Sequence, residues 1–279
     1  MEFANPEVLV DTAWLGEHLG DLDVRVIEVD EDTSAYLKGH IPGSLGWDWF
    51  EDLHAKPRRD YIDQNGLSEL LARSGVGPAT TVVLYGGNNN WFAAYAYWLL
   101  RYLGFDRVKL LNGGRKRWEL DSRELTTETP KVEPTTYRIP GPVHLELRAM
   151  RDEVLSKLGA ASFVDVRSPE EYRGEMMAPA HLPQESAMVP GHIPGAVNVP
   201  WSRAANEDGT FKTLDELKRL YDDAGLDADA PVIVAYCRIG ERSAHTWFVL
   251  HELLGFPKVS NYDGSWTEYG SLVGVPVEW

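Results

Sequence analysis

Apolar residues of this chain fall into short runs separated by longer segments in which apolar and polar positions have a helical spacing. Five runs rich in β-branched residues are predicted strands: 24–29, 80–85, 108–111, 163–167 and 231–236. Two of the intervening segments, 66–74 and 91–103, are predicted helices, each followed by a glycine where glycine often ends a helix. Strands and helices that alternate in this way predict α/β domains with mostly parallel sheets.

The same order of elements occurs twice. The sequence Gly-His-Ile-Pro-Gly stands at 39–43 and again at 191–195, and Tyr85 and Leu-Gly-Phe at 103–105 return as Tyr236 and 254–256. The spacing stays close to about 150 residues. Two copies at so long a period predict a duplicated domain rather than a solenoid. The turn histidines, His40 and His192, are predicted to be structural.

The repeat predicts the domain boundaries. We expect one domain over 1–125 and a second over 143–279, joined by a linker at 126–142 that four prolines stiffen. The second half carries about 15 additional residues at 175–190, rich in Met and Pro, which are predicted to form a loop near the functional site.

Composition narrows the function. The net charge of −16 argues against nucleic-acid and anionic-membrane binding, although a local arginine cluster could still bind a small anion. The single cysteine excludes an intramolecular disulfide and a cysteine-rich metal site. No secretory signal or membrane-spanning run is visible, so we expect a cytoplasmic protein whose thiol stays reduced.

That cysteine, Cys237, lies between the predicted strand 231–236 and an apolar-periodic segment, and Arg238 and Arg242 lie beside it. A thiol at this position faces backbone N–H groups at a helix N-terminus. These groups and the arginines favour the thiolate, which is the nucleophilic form. The alternative is a buried inert thiol. We interpret Cys237 as a catalytic nucleophile.

The loop residues after the cysteine are candidate substrate-binding groups. Arg242 is expected to bridge loop carbonyls, to bind an anion, or both. Ser243 could cap the helix or donate its hydroxyl to the sulfur. The candidates in the loop are Arg238, Ile239, Gly240, Glu241, Arg242 and Ser243.

The first half has Gly-Gly-Asn-Asn-Asn-Trp at 86–91 in place of this loop. Without a thiol or an arginine, this copy cannot carry out thiolate chemistry and is expected to be a support. Trp91 and Phe92 are candidates for the wall of a cleft, the alternative being ordinary core aromatics.

The combination of tandem halves, the repeated Gly-His-Ile-Pro-Gly turn, Asp-Val-Arg-Ser-Pro-Glu-Glu-Tyr at 165–172 and Cys-Arg-Ile-Gly-Glu-Arg-Ser at 237–243 resembles the rhodanese family, specifically the two-domain thiosulfate sulfurtransferases. The resemblance implies two rhodanese-like domains, of which the second is catalytic. It also implies that Cys237 takes a sulfane sulfur from thiosulfate, forms a persulfide, releases sulfite and passes the sulfur to cyanide or a thiol. No metal or organic cofactor is then required.

The sequence departs from the family's animal-type pattern. Glu171 stands where the family has a substrate-binding arginine, and Arg173 could replace it. Ile239 stands at a position where animal enzymes carry a lysine. Asp165 and Arg167 are predicted to form a supporting ion pair. Mercaptopyruvate is the alternative sulfur donor, although that branch of the family has Cys-Gly-Ser-Gly-type loops.

Two other classes of protein compete with this interpretation. Cysteine-dependent phosphatases place an arginine six residues after the cysteine, whereas Arg242 is the fifth residue and Ser243 the sixth. A loop shorter by one residue suits a sulfur atom better than a phosphate. Rhodanese-like binding modules lack the cysteine, so Cys237 argues against that class.

Overall fold

The computed structural model describes residues 2–57, 59–178 and 186–279, in which the predicted strands of the first half form one parallel sheet. Its strand order is β1-β5-β4-β2-β3, and every pairing is parallel. The strands are β1 Leu9–Val10, β2 Val24–Asp30, β3 Leu45–Asp48, β4 Thr81–Tyr85 and β5 Val108–Leu111. Strands β2 and β4 are largely buried, and β4 shows the continuous apolar run typical of a strand covered on both faces.

The second half forms its own parallel sheet, in the order β7-β6-β8-β9. Its strands are β6 Ser162–Asp165, β7 Val197–Asn198, β8 Ile233–Tyr236 and β9 Val259–Tyr262. All four residues of β8, the strand that leads to the cysteine, are buried.

Helices connect the parallel strands in both halves. In the first half they are α1 Thr12–His18, α2 Ser34–Lys38, α3 Trp49–Leu53, α4 Gln64–Arg73, α5 Trp91–Tyr102 and α6 Gly114–Leu120. In the second half they are α7 Arg151–Ser156, α8 Pro169–Tyr172, α9 Leu214–Asp222, α10 Glu241–Trp247 and α11 Ser265–Tyr269. Short 3₁₀ turns lie at Asn88–Asn90, Leu145–Leu147 and Trp201–Ala204, and a π-helical segment at Phe248–Leu253 continues α10.

The predicted helix at 66–74 begins earlier than expected, at Gln64. The carboxylate of Asp63 caps it by accepting a hydrogen bond from the Gly66 N–H at 2.8 Å. The α/β fold class predicted from the alternating elements is confirmed.

The chain divides into two compact units. The N-unit contains residues 7–144 and 206–211, and the C-unit contains residues up to Pro6, 145–205 and 212–279. The predicted linker packs on the N-unit, where the Thr135 N–H donates to the Ala72 carbonyl at 2.9 Å and Gln64 donates to the Gly141 carbonyl at 2.8 Å. Of the predicted loop at 175–190, residues 179–185 lie outside the described residues.

One buried hydrogen-bond network attaches the Gly-His-Ile-Pro-Gly turn to the sheet of the N-unit. The Tyr85 hydroxyl at the end of β4 accepts the Ile41 N–H at 3.0 Å and interacts with the Glu28 carboxylate. Arg115 binds both oxygens of that carboxylate, at 2.6 and 2.7 Å, and donates to the Gly39 carbonyl of the turn at 2.6 Å. The network therefore holds the turn at its first residue, Gly39, and at its middle residue, Ile41.

The C-unit contains the same network built from a differently placed arginine. The Tyr236 hydroxyl accepts the Ile193 N–H at 3.1 Å and interacts with Asp165. Arg167 binds that carboxylate and donates to the Gly191 carbonyl at 2.7 Å. In the C-unit the guanidinium belongs to Arg167, two residues beyond the end of β6, whereas in the N-unit it belongs to Arg115 of α6. The expected ion pair of Asp165 and Arg167 is thus present and attaches the turn to the sheet.

The turn histidines occupy matching positions. His40 stacks on Tyr36 and His192 stacks on Tyr172, and each Nδ1 lies 2.8 Å from the carbonyl of its own tyrosine. Both rings are buried, so the predicted structural role is confirmed.

We expect Tyr85→Phe and Tyr236→Phe each to lower the free energy of unfolding of their own unit by about 1–3 kcal/mol. Each change leaves a buried turn N–H without its acceptor, and a buried unsatisfied donor costs that much. Denaturant titration would measure the effect. Tyr137→Phe, at a half-buried position in the linker, serves as control and should stay within about 0.5 kcal/mol. Equal stability of all three variants and the parent protein would contradict the role of the network.

Candidate active site

The loop of residues 237–240 joins β8 to α10, and Cys237 is its first residue. Its backbone is tied to the segment after β9: Ser265 accepts the Cys237 N–H at 3.0 Å, and the Trp266 N–H donates to the Cys237 carbonyl at 3.0 Å. Gly240 ends the loop with φ +97°, and a β-carbon there would lie 2.5 Å from the α-carbon of Asp263. Only glycine fits this position, and its conformation turns the chain back over the cysteine.

The sulfur of Cys237 is fully buried and surrounded by polar groups of its own loop and helix. The Gly240 N–H donates to Sγ at 3.1 Å, and the Ser243 N–H also points to the sulfur. On another side, Oε2 of Glu241 lies 3.4 Å from Sγ, where the thiol donates to the carboxylate. The sulfur thus has two amide donors and one carboxylate acceptor.

The expectation that this environment favours the thiolate is wrong. Burial raises the pKa of the Cys237 thiol above its ordinary value, and the negative charge of Glu241 raises it further. Arg242 and the two amides act in the opposite direction but do not outweigh burial. The sequence showed the cations and the helix start, whereas full burial and the contact with Glu241 became visible only in the fold.

Arg242 is bound by a carboxylate in this structure, and its anion-binding role stays a prediction. Its two terminal nitrogens donate to the two oxygens of Glu171, at 3.0 and 3.2 Å, and both side chains are buried. Glu171 also completes the capping box of α8 by accepting the Ser168 N–H at 3.1 Å. Burial acts to raise the pKa of Glu171, but Arg242 holds it below the ordinary value, so the pair is ionised.

This ion pair involves the position at which the family has a substrate-binding arginine. Glu171 occupies its position but binds Arg242 instead of a substrate. The guanidinium of Arg173 lies on the surface, where it binds Glu175 at 2.7 Å and approaches Glu170 at 3.9 Å. Arg173 thus forms a surface ion pair in this structure, and its substrate-binding role stays a prediction.

Ser243 has neither of the two roles considered for it. Gly240 is the N-cap of α10, so Ser243 lies inside the first turn. Its hydroxyl lies 2.6 Å from Oδ1 of Asn261 and 3.0 Å from the Gly240 carbonyl, and only its backbone N–H serves the sulfur. Arg238 is buried beside Cys237, and its carbonyl accepts the Thr267 N–H at 3.0 Å. The substrate-binding roles of Arg238 and Ile239 stay predictions.

In the N-unit, Gly86 follows β4 as Cys237 follows β8. Three consecutive asparagines, Asn88, Asn89 and Asn90, have positive φ values of 46°, 56° and 63°. The side chain of Asn90 holds the loop by accepting the Gly86 N–H at 3.0 Å and donating to the Leu111 carbonyl at 2.6 Å. The side-chain amide of Asn90 thus holds this loop, whereas the corresponding loop of the C-unit carries the thiol of Cys237.

The two aromatic candidates follow that loop. Phe92 is buried against Trp49, with ring centroids 5.1 Å apart, and Trp91 stacks on Phe92 at 5.2 Å. Both contacts lie within the N-unit and are typical of core aromatics. Their role as a cleft wall stays a prediction.

Reasoning from the sequence missed two functional contacts. Glu171 was recognised as a departure from the family but not as the partner of Arg242, because the two are far apart in the chain. The contact between Glu241 and the sulfur was missed because Cys237 lies in the loop before α10, where the four-residue spacing of a helix does not apply. Asn261, which holds the Gly240 carbonyl and Ser243, had no signal in the sequence.

Two searches of the described residues bear on other functions. Within 2–57, 59–178 and 186–279, no three His, Cys, Asp or Glu side chains are grouped so as to hold a metal ion. The helices in that same part of the chain are all too short or too polar to cross a membrane.

Comparison with known proteins gives the same family as the fold. The model of the rhodanese-like domain matches residues 11–121 and 146–272. A protein of Saccharopolyspora erythraea named "Putative thiosulfate sulfurtransferase" is 60% identical over 272 residues, which cover 98% of this chain and 96% of the relative. The "Sulfur carrier protein TtuD" of Thermus thermophilus is 52% identical over 282 residues, covering 99% of this chain and 98% of the relative.

Among solved structures, the crystal structure of YnjE superposes with a TM-score of 0.86 at 25% identity, covering 100% of this chain and 70% of that one. The chain belongs to the rhodanese family, with two rhodanese-like domains in tandem. It is an enzyme of the sulfurtransferase class.

Proposed function

We propose that the protein is a thiosulfate sulfurtransferase in which Cys237 carries the sulfur. The Cys237 thiolate attacks the outer sulfur of thiosulfate, a persulfide forms, and sulfite leaves. The persulfide then passes its outer sulfur to cyanide or to a thiol. The observation that carries this proposal is the sulfur held at the start of the loop, with the Gly240 N–H donating to it at 3.1 Å.

The geometry suits a sulfur carrier for two reasons. Two backbone amides, from Gly240 and Ser243, are directed at the sulfur and stabilise negative charge on it without side-chain reorganisation. Full burial of Cys237 keeps water away, which protects a persulfide between its two half-reactions.

The names of relatives support the same donor and role. The relative in Saccharopolyspora erythraea is named for thiosulfate, and the Thermus thermophilus relative is named as a sulfur carrier. The charges of the site also limit how an anionic donor can bind, because Glu171 and Glu241 are buried beside Arg242. A dianionic donor therefore depends on the loop amides and on Arg238 in addition to Arg242.

Mass spectrometry tests the proposal directly. After incubation with thiosulfate, the peptide that contains Cys237 should gain the mass of one sulfur atom, and later addition of cyanide should remove it. Because the chain contains one cysteine, the adduct has a single possible thiol. Absence of the adduct, with hydrolysis of a phosphoryl ester instead, would refute sulfur transfer.

A comparison of donors tests the choice of thiosulfate. We expect kcat/KM for thiosulfate to exceed that for mercaptopyruvate, with cyanide as the acceptor in both assays. The opposite order would leave Cys237 as the sulfur carrier but assign the enzyme to the mercaptopyruvate branch.

A further inference from the structure

The carboxylate of Glu241 contacts the reacting sulfur, yet no step of the sulfur transfer described above uses it. Oε2 lies 3.4 Å from Sγ of Cys237, and both side chains are buried. Burial of a carboxylate without a function for its charge is unfavourable. Here the charge is placed against a thiol that has to lose a proton before it can react.

The protein needs a proton acceptor inside this site. The thiolate is the nucleophile, but burial raises the pKa of the Cys237 thiol, and a fully buried sulfur has no access to bulk water as a base. Glu241 is a carboxylate in direct contact with the thiol. The other nearby carboxylate, Glu171, is bound on both oxygens by Arg242.

We propose that Glu241 accepts the proton of the Cys237 thiol when the donor binds and later returns it to the departing sulfite. This inference rests on the sulfur-transfer function proposed above. The proton moves from Sγ to Oε2 of Glu241, and the electron pair of Sγ attacks the outer sulfur of thiosulfate. The new Sγ–S bond forms as the S–S bond of thiosulfate breaks, and its electron pair leaves with sulfite. Sulfite then takes the proton from Glu241 and departs as hydrogen sulfite.

Charge balance favours this route. The thiol and the carboxylate together carry one negative charge, and proton transfer moves that charge from oxygen to sulfur without adding to it. The incoming dianion therefore meets no more negative charge than before. On the sulfur, the charge is received by the Gly240 and Ser243 amides and by Arg242, which all act to lower the pKa of Cys237.

The groups around the pair come from several elements. Arg238 and Arg242 belong to the loop and helix of the cysteine itself, and Glu171 approaches from α8. Asp263, held by Arg148 at 2.8 Å, packs against Gly240 from the end of β9. The ionised pair of Asp165 and Arg167 lies at the end of the neighbouring strand. Each of these carboxylates is engaged by an arginine, whereas Glu241 is engaged by the thiol.

The test is the rate of persulfide formation in the Glu241→Gln enzyme, measured by rapid mixing with thiosulfate from mildly acidic to alkaline pH. Loss of a general base should slow the reaction at neutral pH by about 10²–10⁴-fold. The difference from the parent enzyme should shrink as pH rises, because the thiol then ionises without help. Glu170→Gln, an exposed carboxylate on α8, is the matched control and should leave the rate unchanged.

Two outcomes would overturn the inference. If Glu241 merely repels the thiolate, Glu241→Gln lowers the pKa of Cys237 and the reaction at neutral pH becomes as fast as, or faster than, that of the parent enzyme. If Glu241 only supports the fold, the rate falls by the same factor at every pH.

Glu241→Asp keeps a carboxylate and should retain the pH profile of the parent enzyme at a lower rate, which preserves the test if the glutamine variant folds poorly. Failure of the parent enzyme itself to form a persulfide would instead refute the proposed function.

Discussion

Cys237→Ser is expected to reduce sulfur transfer from thiosulfate to cyanide by roughly 10⁴-fold or more, the scale seen when an enzyme loses its nucleophile. A hydroxyl is far less acidic than a thiol, and an oxygen cannot hold the transferred sulfur as a persulfide. Because the residue is buried at the start of a loop held by Ser265 and Trp266, the smaller serine should leave the backbone in place. Thiocyanate formation would measure activity, and mass spectrometry would measure the adduct.

The matched control for this variant removes a sulfur atom elsewhere. Met188 is 78% exposed, and Met188→Ser should leave both activity and adduct formation unchanged. Residual turnover in Cys237→Ser at more than a few per cent of the parent enzyme would show that sulfur transfer does not depend on this thiol. Circular dichroism of both variants would show that the loss is chemical and not a loss of fold.

Glu171→Gln is expected to lower the free energy of unfolding of the C-unit by about 3–5 kcal/mol, which is typical when one partner of a buried ion pair is removed. The change takes away the carboxylate that binds both terminal nitrogens of Arg242 and weakens the capping box of α8. Denaturant titration would measure it. Glu175→Gln, which breaks the exposed pair with Arg173, is the matched control and should cost far less, because solvent screens an exposed pair.

The contribution of Glu171 also has a defined pH dependence. Its pKa in the folded protein is lowered, so the stability it provides is present at neutral pH and is lost as acid protonates it. The stability difference between the parent protein and Glu171→Gln should therefore narrow in acid. A difference that persists unchanged at low pH, or a cost no larger than that of Glu175→Gln, would show that the ion pair contributes little.

Much of the fold could be predicted from local pattern. The segments that became β2, β4, β5, β6 and β8 were recognisable because β-branched residues in alternating or continuous apolar runs favour strands. The repeated turn was visible as identical letters in both halves. The arginine that supports the turn was predicted only in the second half, where Arg167 lies two residues after Asp165. In the first half it is Arg115, which reaches Glu28 from α6 and could not be paired with it from the sequence.

The limits of sequence reasoning show most clearly at charged residues. The sequence predicted that Arg242 bridges loop carbonyls, binds an anion, or both, and that Arg173 could replace the family arginine. It named no carboxylate partner for either residue, because charge type and spacing are all that a sequence shows. Which carboxylate meets which guanidinium depends on the packing of α8 against α10. That packing buries Glu171 with Arg242 and leaves Arg173 on the surface with Glu175.

The sequence by itself determined the α/β class, the duplication and the one position with a thiol, because apolar periodicity and the order of residues are local properties of the chain. It also determined that the first copy lacks that thiol. Only the tertiary structure decided the protonation of the site. The pKa of Cys237 depends on burial, on the contact with Glu241 and on opposing amides, and these are set by distances between side chains in the folded chain. Hence the sequence located the thiol, and the fold showed the burial and the contact with Glu241 that raise its pKa.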